Sequence, residues 1–152
     1  MRGSIALVLL SVLMVAVMDV SAQSKKQEGL VVGLETGQAI GAVALYQLNE
    51  NLQIGSGVGV QVGDATVIYL SPQVRFLTPI GIADLQAVAE AQLYLTFGDV
   101  SRTAVQVRGS VQKWISEDFA VYGGVSLVTL NLDPSVIAIG LLTPHLGVQV
   151  RL

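Results

Sequence analysis

Residues 52–63, LQIGSGVGVQVG, change character at every second position. Leu52, Ile54, Ser56, Val58, Val60 and Val62 take the even positions. Gln53, Gly55, Gly57, Gly59, Gln61 and Gly63 take the odd ones. A period of two is that of a β-strand, whose successive side chains point to opposite faces. One face is therefore apolar, the other is small or polar, and neither carries a charge. Such a strand must put its apolar face against an apolar medium and its polar face against small polar partners.

The same alternation runs through the chain. Glu28 to Glu35 sets Leu30, Val32 and Leu34 against Gly29, Val31 and Gly33. Ile40 to Leu48 sets Ile40, Ala42, Ala44 and Tyr46 on one face and Gly41, Val43 and Leu45 on the other, where the polar face is imperfect. Val67 to Leu77 places Ile68, Leu70, Val74 and Phe76 opposite Tyr69, Ser71, Gln73 and Arg75. Asp84 to Phe97 contains LQAVAEAQLYL, rich in good helix formers. Its split into Leu85, Ala87, Ala89, Ala91 and Leu93 against Gln86, Val88, Glu90 and Gln92 is cleaner than any 3.6-residue pattern, so a strand is expected. Further strands are expected over Thr103 to Ile115, Phe119 to Leu130 and Val136 to Leu152. Turn residues separate them, with Thr78-Pro79-Ile80-Gly81 the clearest case.

An internal echo supports eight strands. LNENLQIGSGVGV at 48–60 lines up with ISEDFAVYGGVSL at 115–127, and YLSPQVRF at 69–76 resembles LLTPHLGV at 141–148. Two copies of a hairpin-plus-strand unit are what a barrel built from hairpins contains. The fold class expected is all-β, a single closed antiparallel up-and-down barrel of about eight strands.

Composition decides which face is outside. Only 12% of residues are charged, against about a quarter in ordinary soluble domains. The N-terminus reads Met1-Arg2, an apolar run from Ile5 to Met18, then Val20-Ser21-Ala22. A basic start, a short apolar core and small residues describe a signal peptide over 1–22, cut after Ala22. Residues 23–27 form a short polar segment, and 28–152 the barrel domain. Losing 1–22 removes one base and one acid, so the net charge stays at −3. There is no cysteine, hence no disulfide framework and no lipoprotein site. No basic patch exists for nucleic acid. An almost charge-free apolar band costs nothing in hydrocarbon, and closing the sheet satisfies every backbone donor and acceptor there. The alternation is that of transmembrane barrels.

On the hairpin LNENLQIGSGVGV, the strand ending in Arg75-Phe76 and the C-terminal LGVQVRL, residues 28–152 resemble the small eight-stranded outer-membrane barrels of the OmpA transmembrane-domain type. The resemblance is one of architecture, since none of these is a catalytic signature. It implies an outer-membrane location in a Gram-negative envelope, with membrane lipid and the barrel-assembly machinery as partners. It implies no oligomeric state. The family's last residue is usually aromatic; here it is Leu152. Aromatics make up only 5% of the chain, but Tyr46, Phe76, Phe97 and Phe119 fall near strand ends on the apolar face. Parity puts Trp114 on the polar face and Lys113 outward.

No residue pattern points to catalysis, a cofactor or a metal. His145 is the only histidine, and no serine or carboxylate follows it at close strand spacing, so it is expected to be a lumenal hydrogen-bonding group. The acids are scattered singly, with Asp118 beside Glu117 only in a turn, and lack metal-ligand spacing. The glycines at 55, 57, 59 and 63 lie inside a strand rather than before a helix, which argues against a phosphate cradle. The residues singled out are Asp84, Glu90, Arg75 and Arg108, expected to form a structural lumenal charge network because buried charges need partners. Pairing Phe97 with Thr103 sets Gln92 opposite Arg108 and Glu90 one diagonal step away. Pairing Leu77 with Asp84 sets Arg75 diagonal to Asp84.

The function expected is a small outer-membrane barrel with a structural or interaction role, a packed lumen and no enzyme activity. Two alternatives stand beside it. One is a soluble secreted barrel holding an apolar ligand, which inverts the faces. The other is an outer-leaflet lipid-modifying enzyme centred on His145. An even strand count puts both termini on the periplasmic side, with the turns at 49–51, 78–81 and 116–118. The short loops at 36–38, 63–66, 98–102 and 131–135 then face outside.

Overall fold

The computed structural model describes residues 29–37, 39–62, 66–82, 85–99, 101–132 and 142–152. The expected signal peptide, the segment 23–27 and Asp84 lie outside the described residues.

Among the described residues eight strands follow one another in chain order: β1 Gly29–Thr36, β2 Ile40–Asn49, β3 Leu52–Gln61, β4 Val67–Pro79, β5 Leu85–Gly98, β6 Arg102–Trp114, β7 Phe119–Asn131 and β8 Thr143–Arg151. Each pairs antiparallel with the next, and β1 pairs with β8 to close the barrel. Closure runs over six residue pairs, from Val31 with Arg151 to Thr36 with Leu146. The two ends of the described chain meet there, where Leu152 N donates to Leu30 O at 2.8 Å. The helix-like stretch LQAVAEAQLYL is β5. Packing on both sides decides the conformation over its helix propensity.

Alternation sets the faces. In β4, Tyr69, Ser71, Gln73, Arg75 and Leu77 are buried, while Ile68, Leu70 and Phe76 are exposed. The odd residues of β2 likewise point inward, so Val43 and Leu45 share the lumen with the polar groups. Val58, Val60 and Val62 are on the outside. Trp114 faces the lumen, where its Nε1 donates to Gln86 Oε1 at 3.2 Å, and Lys113 is exposed outside. The internally similar stretches fall on β3 and β7, and on β4 and β8, each pair four strands apart around the barrel.

The lumen is narrow enough that aromatic rings need glycines beneath them. Gly41 pairs with Gly59, and Gly59 pairs with Tyr69. A Cβ added to Gly41 would lie 2.8 Å from Tyr69 Cζ and 2.8 Å from Val58 O. The Tyr69 ring therefore lies across the bare backbone of β2 and β3 and stacks on Tyr94 with centroids 4.8 Å apart. Tyr122 lies against Gly147 in the same way, since a Cβ there would be 2.6 Å from Tyr122 Cε1. This accounts for Gly59 on the lumenal face of β3.

One register shift breaks the alternation of β7. Val107 pairs with Val128 but Arg108 pairs with Ser126, so Leu127 is the extra residue of a bulge. Beyond it the inward parity changes from even to odd. Thr129 then meets the lumen, where its Oγ1 accepts a hydrogen bond from Gln106 Nε2 at 2.9 Å.

Gly59→Val should force Tyr69 off β3 and cost about 1–3 kcal/mol, as overpacked cores do. Gly109→Ala should be nearly neutral, because its Cβ would meet only Leu127 Cδ1 at 3.5 Å. Urea unfolding of the two refolded variants, followed by the difference in gel migration between boiled and unboiled samples, checks this ordering.

Candidate functional site: the lumenal charge cluster

Alternation brings four charged side chains from four strands to one point inside the barrel. They are Glu35 on β1, Arg75 on β4, Glu90 on β5 and Arg108 on β6, each at most 7% exposed. Arg75 Nε lies 2.7 Å from Glu90 Oε2. Arg108 Nε donates to Glu90 Oε1 at 2.8 Å, and its Nη2 also reaches that oxygen. The same Nη2 donates to Glu35 Oε2 at 3.1 Å. Arg75 Nη2 stands 3.5 Å from Glu35 Oε2. Each glutamate thus faces both arginines, and the four formal charges cancel. Taking any one of them out of water is costly, and mutual pairing offsets it; Arg108 hydrogen-bonds both glutamates, whereas Arg75 meets them as ion pairs from Nε and Nη2.

Neutral groups complete the cluster. Tyr122 OH donates to Glu35 Oε2 at 3.2 Å, and the Arg75 guanidinium carbon stands 4.9 Å from the Tyr122 ring centroid. Arg75 Nη1 donates to Gln149 Oε1 at 3.4 Å. Above and below lie glutamine layers. Gln92 Nε2 donates to Gln106 Oε1, and Gln53 Nε2 donates to Gln47 Oε1 at 2.6 Å. At the barrel end where Leu30 meets Leu152, Arg151 stacks over Trp114 at 4.3 Å from its ring centroid.

The structure places the sequence-derived residues differently from two of the expected registers. In the β5–β6 hairpin Thr103 pairs with Leu95 rather than Phe97. This slide of two residues keeps every face but brings Glu90 directly opposite Arg108 instead of diagonal to it. The ladder stops at Thr96 because Arg102 N donates to Thr96 Oγ1 at 2.8 Å, and Gly98 leaves it with φ 122°. In the β4–β5 hairpin Leu77 pairs with Val88, not with Asp84, and Arg75 sits opposite Glu90. Glu90 therefore bridges both arginines, the partner expected for Arg75 being Asp84. Glu35 and Tyr122 are the members the sequence reading passed over. Both had a signal: Glu35 shares parity with Val31 and Gly33, and Tyr122 with Ala120 and Gly124.

His145 is buried on β8 near the opposite mouth, its ring centroid 6.4 Å from that of Tyr122. Among the described residues neither of its ring nitrogens has a hydrogen-bond partner, so His145 is lumenal as expected but without the hydrogen bond expected of it. A general base must hold its nucleophile within hydrogen-bond reach. No three His, Asp or Glu side chains converge as a metal site among the described residues.

Glu90→Gln leaves one uncompensated positive charge in the lumen and should destabilise the barrel by about 3–5 kcal/mol. Adding Arg108→Gln restores neutrality through Arg75 and Glu35, so the double variant should recover much of the loss. Glu90→Gln combined with Glu35→Gln strands two arginines and should be worse than either single change. A double-mutant cycle in urea reads this directly; additive losses in both pairs would mean that the cluster is not coupled.

No protein-family model and no curated protein matches the chain. Its structure is similar to the N-terminal β-barrel domain of Pseudomonas aeruginosa OprF, with a TM-score of 0.68 at 13% sequence identity, covering 83% of this chain and 100% of that one. It is also similar to the de novo designed TMB2.3, with a TM-score of 0.52 at 13% identity, covering 85% of this chain and 98% of that one. At such identities the likeness is one of fold. The chain has the closed, eight-stranded, up-and-down fold of the small OmpA-like outer-membrane barrels.

Proposed function

We propose that this chain is an exported outer-membrane barrel whose role is structural or that of an interaction surface, with a closed lumen and no catalysis. The observation that carries the reading is the distribution of polarity. Arg75, Arg108, Glu35 and Glu90 are paired inside, whereas Leu34, Ile40, Val58, Ile68, Leu70 and Phe76 are exposed. In water this arrangement is inverted; in a bilayer the same arrangement puts every group in its preferred medium. Strands of 8 to 14 residues suit a tilted crossing of a hydrocarbon layer roughly 30 Å thick. The exposed rings of Tyr46, Phe76, Phe97 and Phe119 near strand ends supply interfacial contacts. The termini and the short turns after β2, β4 and β6 then face the periplasm. Membrane lipid is the constant partner, and the barrel-assembly machinery the partner in biogenesis.

The soluble-barrel alternative needs an apolar interior, and the polar residues filling this lumen weigh against it. The lipid-modifying alternative needs a base poised on a nucleophile, and His145, whose ring nitrogens have no hydrogen-bond partner among the described residues, weighs against that.

Val74→Arg separates the membrane reading from the soluble one. Placed on the outward parity at the middle of β4, it should cost about 2–4 kcal/mol in lipid vesicles, the cost of a cation near the bilayer midplane. Measured by urea titration in phosphatidylcholine vesicles, a change within ~0.5 kcal/mol, the range of ordinary surface substitutions, would count against the membrane assignment.

A further inference from the structure

The outer wall carries a furrow that runs across the strands rather than along them. Its upper bank is the row Ile40, Thr36, Leu146 and Val111, residues paired in sequence across β2, β1, β8, β7 and β6. The β7 member of that row is Gly123, which pairs with both Leu146 and Val111 and has no side chain to fill the wall. Its lower bank is the next row, in which Leu34, Val148, Val121 and Lys113 are paired. The furrow holds about 620 Å³ and is lined mainly by apolar side chains. Four strand spacings of roughly 4.8 Å make it about 19 Å long. Because strands tilt in a barrel, a cross-strand furrow climbs the wall. Its length is comparable to one leaflet, about half of the roughly 30 Å hydrocarbon layer.

Lys113 closes the furrow at the end nearer the turn between β6 and β7. It is the one cation on the outward face among the described residues: Arg75, Arg108 and Arg151 point into the lumen, and Arg102 lies at the far mouth. It has no acidic partner in an ion pair among the described residues. An ammonium on a long stem at the margin of an apolar band extends toward the headgroup layer. A charge there, at the mouth of an acyl-sized furrow, complements one class of molecule.

We propose that this furrow is a binding site for an anionic phospholipid, taking one acyl chain over Gly123 and the phosphodiester at Lys113. The inference rests on the membrane reading above and adds to it a fixed lipid on one side of the barrel. A second outer furrow of about 510 Å³, lined by Val32, Ala42, Ser56, Val58 and Val150, has no cation in its lining, and the β3–β4 wall carries no outward cation among the described residues. A lipid held this way would mark the β6–β7–β8 side as the one that keeps its neighbour, and would order the wall beside the closing seam.

The test uses the full mature chain refolded into phosphatidylcholine vesicles containing a small fraction of phosphatidylglycerol with a diazirine in one acyl chain. After photolysis, labelled peptides should concentrate on β6, β7 and β8 over β3 and β4. Unlabelled phosphatidylglycerol should compete and added phosphatidylcholine should not. Lys113→Gln should lower labelling of these strands about fivefold, the effect of one cation near an anionic surface, while Lys113→Arg should retain it. Gly123→Leu should fill the furrow and lower labelling with the lysine in place; its Cβ would meet only the flexible end of Leu146 at short range, 2.7 Å from Cδ2. Labelling spread evenly around the barrel, or unchanged in Lys113→Gln, overturns the lipid site while leaving the membrane reading intact. Absence of label from every strand overturns both.

Discussion

Closure of the sheet between β1 and β8 is the constraint on which everything else depends. An open eight-stranded sheet would leave two rows of backbone donors and acceptors unpaired, each costly in hydrocarbon. Six residue pairs from Val31–Arg151 to Thr36–Leu146 remove those edges. Closure also creates an inside, and so turns simple alternation into a sorting rule. Once the ring is closed, each odd or even residue is committed to a narrow lumen or to the wall.

The lumen then determines which side chains are tolerated. Eight strands leave space for side chains but little for water. Charges placed there must cancel locally, and Glu35, Glu90, Arg75 and Arg108 do so as a two-by-two set in which each acid faces both bases. Rings placed there need bare backbone beneath them, which Gly41, Gly59 and Gly147 provide. The two devices meet at Tyr122, which lies over Gly147 and donates to Glu35. Packing and electrostatics are thus one problem in this interior, and a change in either propagates to the other.

The alternation of LQIGSGVGVQVG and its counterparts is enough to read strands, faces and closure from the sequence, because burial has the same period as the pleat. It is also enough to place Arg75, Glu90 and Arg108 inside. Register is less legible. The slide that pairs Thr103 with Leu95 instead of Phe97 preserves every face, so hydrophobic pattern cannot detect it; the Thr96–Arg102 contact that stops the ladder can be seen only in three dimensions. The bulge at Leu127 is similarly silent, since Leu127, Val128 and Leu130 give no sign of where parity changes. Glu35 was within reach by parity, but a charge at a strand end looks like a solvated terminus until β4 and β6 are brought across the lumen to meet it.

The central claim is that the polar face is lumenal and the apolar face meets lipid. Trp114 is the only tryptophan and points inward, with Arg151 stacked on it, so it is a native reporter of the lumenal face. The direct measurement is its fluorescence in vesicles of phosphatidylcholine brominated along the acyl chains. The account predicts that Trp114 emission is nearly insensitive to the lipid bromines, whereas Leu70→Trp in a Trp114→Phe background is strongly quenched. Strong quenching of Trp114 together with weak quenching of the Leu70→Trp variant would contradict it.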